Sequence, residues 1–171
     1  STTKLTATFA IGGLFGFGLA SRVLSRGYDP FRMASVGALI GVPAFLCVIL
    51  AAPLGSTPLF ICGTFTVGFA AGLFSHGTLT ATMNDAPPDQ RGLALGAWGA
   101  VQACAAGVAM ALSGVIRDLV NASAGARDVL PGISGAAAGY TTVYVIEIVL
   151  LCLTIAAMAP VVFQFRQQAR A

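Results

Sequence analysis

Few residues in this sequence are equipped for chemistry. The stretch LFSHGTLTATMNDAP, residues 73–87, carries His76, the single histidine of the chain, near the end of a long apolar run. A neutral imidazole there can ligate a metal or pigment, pass a proton, or donate one hydrogen bond between helices. A relay would need a titrating partner, and Glu147 is the one acid well inside an apolar run. An intramembrane carboxylate must be paired, protonated or wetted. Glu147 is therefore divided between one interhelical hydrogen bond, to a threonine or Gln102, and a place on a pathway. Trp98 and Gln102 are four residues apart and share a helix face. Trp98 can stack on a flat ligand or on a partner helix, and Gln102 will seek a polar partner. For His76 and Trp98, packing carries the most weight. Ser75 and His76 point about 100° apart on a helix and make no nucleophile–base pair. With no HExxH, P-loop or GxGxxG pattern, catalysis is not expected.

The elements that must position these residues follow from composition. The chain has 171 residues, 57% hydrophobic and 9% charged, against about a quarter charged in a soluble domain. Nine basic and six acidic side chains cannot cover its surface in water. The chain reads as membrane-embedded, with the lipid bilayer as its first partner. The net charge of +3 is no sign of nucleic-acid binding, because the basic residues form no stripe. Cys47, Cys62, Cys104 and Cys152 lie in apolar runs without CxxC spacing, so neither a disulfide framework nor a zinc site is indicated.

Five runs are long enough to cross a hydrocarbon core of about 30 Å as helices. They cover residues 5–21, 33–52, 59–83, 92–116 and 140–163. They exceed a spanning strand and lack two-residue alternation, so the fold class is an all-α membrane bundle. Pro43 and Pro160 should kink their helices or end them early. In NDAPPDQRG, Asn84 and Asp85 close the third helix, and Asp89 is placed to cap the fourth. The pairs Gly12 and Gly16, Gly37 and Gly41, Gly68 and Gly72, and Gly92 and Gly96 each share one helix face and suit close helix packing.

Arginine placement sets the orientation. Arg22, Arg26, Arg32, Arg91, Arg166 and Arg170 fall on one side, with Lys4, Arg117 and Arg127 on the other. The C-terminus is then cytoplasmic and the N-terminus outside. The odd number of spans is natural for residues 1–171 as the C-terminal part of a larger polytopic chain, which would need its missing N-terminal helices or a partner subunit.

GFGLASRVLSRGYDPFR resembles the short basic loop between neighbouring helices in each half of major facilitator proteins. Ser21, Arg22, Arg26, Asp29 and Arg32 are its positions here. Ser21 stands where that motif usually has an acid, and Asp29 lies further on. The segments RVLSRGYDPFRMASVGALIG, GLFSHGTLTATMNDAP and QRGLALGAWGAVQACAAG occur in order and resemble the PucC/LhaA family. The resemblance runs from about Thr2 to Val120, and more loosely through the last helix. It implies a major-facilitator-like bundle in a bacterial inner, intracytoplasmic membrane, with these five helices as the eighth to twelfth of twelve. It implies a role in assembling light-harvesting complexes, through handling or delivery of bacteriochlorophyll. Light-harvesting polypeptides or a reaction-centre antenna complex would be the partners. The pigment candidates are then His76, Trp98, Gln102 and Glu147, with Gly72, Gly77 and Ala71 leaving room beside His76 for a flat ring. A structural subunit of a photosynthetic complex and a small-molecule transporter remain as alternatives.

Overall fold

Each apolar run closes its own backbone hydrogen bonds as a helix, the solution that hydrocarbon demands. The computed structural model describes residues 2–123 and 136–168. These form five helices: α1 (Thr2–Leu24), α2 (Pro30–Ala51), α3 (Thr57–Asp85), α4 (Arg91–Ala122) and α5 (Ala136–Gln168). All five contain a stretch long and apolar enough to span a membrane. The result is an all-α, major-facilitator-like bundle of membrane helices. Arg127 and Arg170, two of the residues in the charge balance, lie outside the described residues.

The helices outrun the apolar segments that announce them. α4 continues from Ile116 to Ala122, and α1 from Ser21 to Leu24. Hydropathy ends at the hydrocarbon boundary, whereas intrahelical hydrogen bonding continues into the headgroups. At 1.5 Å per residue, α4 is about 48 Å long, well beyond a core of about 30 Å. Pro43 and Pro160 both lie within continuous helices, so neither ends its helix early.

The helix starts are capped locally. Asp29 precedes Pro30, and its carboxylate accepts the Arg32 N–H at 2.9 Å. Ser56 precedes Thr57 and accepts from Leu59 N–H at 3.4 Å. Both match the preference for a short polar cap before an early proline. The fourth helix departs from expectation. Its N-cap is Gln90, with no side-chain cap bond, so Asp89 does not cap it. The turn after Ala86 places Asp89 one residue too early. Gly27 and Gly55 take left-handed φ values of 86° and 57° in the two short connections, a conformation that costs glycine little.

α3 packs against both α1 and α2, α5 packs against α2 and α4, and α4 touches α3 more lightly. α1 and α3 run parallel, and their backbones nearly touch. A Cβ built on Gly12 would collide with Phe65 O, one on Gly16 with Phe69 O, one on Gly68 with Phe9 O, and one on Gly72 with Gly13 O. α2 and α3 run antiparallel. There a Cβ on Gly37 would lie 2.8 Å from Ala70 O, and one on Gly77 2.8 Å from Pro30 O. Buried apolar positions are mostly alanine, with Leu73 the largest fully enclosed side chain. Dispersion between closely approaching backbones, rather than interlocked large side chains, holds such a core together in lipid. Gly41 meets Leu151 of α5, with the added Cβ 3.0 Å from its methyl. Gly92 and Gly96 meet nothing within 4 Å, so that pair has no close helix neighbour among the described residues.

Candidate functional site

The four candidates for pigment or polar chemistry separate into two places. His76, on α3, faces α1, and Trp98, on α4, faces α3. His76 stands edge-on to Phe17 of α1, with ring centroids 4.1 Å apart. Its Nδ1 is buried and has no hydrogen-bond partner among the described residues. That free nitrogen has the chemistry of an axial ligand. The surrounding space does not suit a flat macrocycle, however. Gly72 abuts Gly13 O and Phe17 N, and Gly77 abuts Pro30 O and Ala34 N. Helix backbone fills the room expected beside these two glycines. Trp98 donates from Nε1 to Thr78 Oγ1 at 3.3 Å, tying α4 to α3.

Gln102 and Glu147 meet elsewhere. They line a central cavity of about 390 Å³ to which all five helices contribute. Ser75 is a further polar wall residue, and Phe45, Val67, Phe74 and Ala71 are among the apolar ones. The volume lies within the roughly 300–1,000 Å³ usual for small-molecule pockets. A half-open, largely apolar hollow with a few polar groups suits an amphiphilic, largely hydrophobic ligand. No hydrogen bond joins Gln102 to Glu147 among the described residues. The antiparallel pairing explains the gap. Arg117 Nη1 donates to the Tyr140 hydroxyl at 3.3 Å, which sets the register of α4 against α5. Seven residues on, Glu147 falls level with Met110. Gln102 lies eight residues deeper, about 12 Å along the axis.

Glu147 also lines a second space of about 330 Å³ between α4 and α5, together with Ser113, Arg117 and Tyr140. Nothing in the spacing of the sequence marks Arg117, Ser113 and Tyr140 as neighbours of Glu147. Only the α4–α5 register brings them together. Asn121 strengthens that register, accepting the Gly139 N–H at 3.2 Å through Oδ1.

The arginine-bearing connection is ordered by its own backbone. Ser21 O accepts from Ser25 N–H at 3.0 Å, and Ser25 Oγ donates to Arg22 O at 2.9 Å. Asp29 is committed to the α2 cap, and no ion pair joins it to Arg22, Arg26 or Arg32 among the described residues. These arginines are left to meet headgroups or a partner.

Comparisons with known proteins place the chain in a family. The family described as PUCC protein matches residues 1–165. Protein PucC of Cereibacter sphaeroides is 53% identical over 161 residues, covering 93% of this chain and 34% of that protein. Protein PucC of Rhodovulum sulfidophilum is 63% identical over 120 residues, covering 70% of this chain and 26% of the relative. Protein PucC of Rhodobacter capsulatus is 51% identical over 163 residues, covering 93% and 34%. The chain thus spans about a quarter to a third of the length of the curated relatives it matches. No solved structure matches it. The chain belongs to the PUCC protein family and is a multi-pass chain of the bacterial inner membrane.

Proposed function

We propose that this chain is the C-terminal part of a membrane factor for assembling bacterial light-harvesting complexes, and that the factor handles bacteriochlorophyll. Membership in the PUCC family over residues 1–165 carries the assembly reading. The central cavity supports the pigment reading. Its walls are apolar, and Ser75, Gln102 and Glu147 supply hydrogen-bonding groups at separate points. At about 390 Å³ it offers space for an edge of a tetrapyrrole rather than for the whole pigment. When bound, bacteriochlorophyll supplies a light-absorbing ring and a magnesium that accepts an axial ligand. Gln102 and Glu147 would hold its polar groups, while Phe45 and Phe74 would pack against the ring. His76 is less suited in this arrangement, because its free Nδ1 lies in the seam between α1 and α3.

The α4 surface supports a need for partners. α4 has no buried residue, yet it carries five glycines with open space around each: Gly92, Gly96, Gly99, Gly107 and Gly114. Glycine costs a helix roughly 1 kcal/mol against alanine, a cost that close helix contact offsets in membranes. The remaining helices of the longer protein, or antenna polypeptides, would supply that contact.

The test is deletion of the native gene in its photosynthetic host, followed by measurement of antenna complexes and total bacteriochlorophyll. The proposal expects a specific loss of assembled light-harvesting complex while pigment synthesis continues, with recovery on complementation. Unchanged antenna content would refute it.

A further inference from the structure

Glu147 poses a solvation problem that the central cavity alone does not solve. It lies seven residues into the apolar run 140–163, about 10 Å from its start and about a third of the way across a core of about 30 Å. Its side chain is half-buried. It accepts no hydrogen bond and joins no ion pair among the described residues. The nearest cation in its groove is Arg117, whose contact Tyr140 is seven residues, or about 10 Å, back along α5. Arg117 is already engaged, through Nη2 to Asp118 Oδ1 at 2.8 Å and through Nη1 to the Tyr140 hydroxyl. A carboxyl at this depth needs water or a partner.

The two spaces that Glu147 borders answer this need. On one side is the groove of about 330 Å³ that contains Ser113, Gly114 and the exposed Arg117 at the end of the bundle. On the other is the central cavity, with Gln102 and Ser75. Glu147 belongs to the lining of both. From Arg117 to Gln102 the polar positions extend along about 22 Å of α4. Gly114 and Ser113 keep the α4 wall low, and Asp118 balances the charge of Arg117 at the mouth. Glu147 is then the one unbalanced formal charge among the described lining residues.

We propose that the α4–α5 groove is a hydrated passage admitting water and small cations from the Arg117 end, past Glu147, to the central cavity at Gln102. A low-dielectric cleft lined by one sign of charge concentrates the opposite sign. Glu147 is the selecting residue, and Ser113 and Gln102 mark the passage before and after it. The passage does not depend on pigment handling, and its test reads thiol chemistry alone.

The full-length protein, freed of its native cysteines, is placed in membrane vesicles of each orientation. Single substitutions Ser113→Cys, Gln102→Cys, Val149→Cys and Leu153→Cys are then made. Val149 and Leu153 are 53% and 61% exposed on the apolar face of α5 and serve as lipid-facing references. Each variant is treated with cationic trimethylammonioethyl and anionic sulfonatoethyl methanethiosulfonates. Ser123→Cys identifies the side on which the Arg117 end lies. From that side, Ser113→Cys and Gln102→Cys should react at least about tenfold faster than the two references, because a thiol in hydrocarbon rarely ionises. At Gln102→Cys the cationic reagent should be favoured, and adding Glu147→Gln should abolish the preference while the position stays reactive. The proposal is overturned if Ser113→Cys or Gln102→Cys reacts no faster than the references, or if charge preference survives Glu147→Gln.

Discussion

Replacing Gly16 by alanine adds one methyl group to α1, but in the seam with α3 there is no place for it. A Cβ at Gly16 would overlap the carbonyl of Phe69, a backbone atom held in the α3 helix. Side-chain rotation cannot relieve the clash, so the two helices must separate. Separation also loosens the mutual contacts of Gly12, Gly68 and Gly72 along the same seam. A gap of roughly 0.5–1 Å already forfeits a quarter to a half of each dispersion contact. Overpacking of this kind costs about 1–3 kcal/mol. Gly18→Ala is the matched control, two residues away on the same helix, where nothing lies within 4 Å. It should be neutral, or stabilising by up to about 1 kcal/mol through helix propensity. The assay is unfolding of purified protein in mixed micelles by a graded denaturing detergent, with folded fraction read by size-exclusion profile. Equal midpoints for Gly16→Ala and Gly18→Ala would show that the α1–α3 backbones are not in contact.

Three further outcomes test other parts of the structure. Arginine placement predicts a cytoplasmic C-terminus, so an impermeant thiol reagent applied to intact cells should label Ser123→Cys and not Pro88→Cys; labelling of Pro88→Cys alone would invert the orientation. Trp98 is the sole tryptophan of these 171 residues, and Thr78→Val should change its fluorescence and cost about 0.5–1.5 kcal/mol by removing the indole acceptor, while Thr78→Ser should preserve both. Asp29→Ala should destabilise the protein by about 0.5–2 kcal/mol through loss of the α2 cap, and Asp29→Asn should restore most of it; failure of asparagine to rescue would assign Asp29 a role that needs its charge.

The spanning helices were legible because hydrocarbon imposes a length and an apolar composition that few other constraints mimic. Their ends were less so. Lys4, Arg22 and Arg117 lie outside the apolar runs, yet their backbones remain helical. The glycine pairs were legible as faces but not as contacts. Gly68 and Gly72 have the same spacing as Gly92 and Gly96, yet the first pair meets α1 backbone and the second meets open space. Spacing fixes the direction a face points relative to its own helix, whereas the neighbour depends on the order and tilt of the bundle. The same limit governed the site. Glu147 and Gln102 stood out as polar groups in apolar runs, but their shared cavity and 12 Å offset come from the α4–α5 register. His76 was conspicuous for being unique. Its neighbour Phe17, on a different helix, leaves no mark in the sequence around it.

The most direct measurement is the absorption spectrum and bacteriochlorophyll content of the full native protein, purified in mild detergent from photosynthetic membranes. Gln102→Leu, Glu147→Gln and His76→Gln variants are compared at matched expression. The account predicts bound bacteriochlorophyll in the wild type, with loss of pigment or a shifted band in the Gln102 and Glu147 variants. It predicts near-normal pigment in His76→Gln, since His76 Nδ1 faces the α1–α3 seam. Pigment-free wild-type protein would contradict direct pigment handling. Pigment lost only on changing His76 would move the site from the central cavity to that seam.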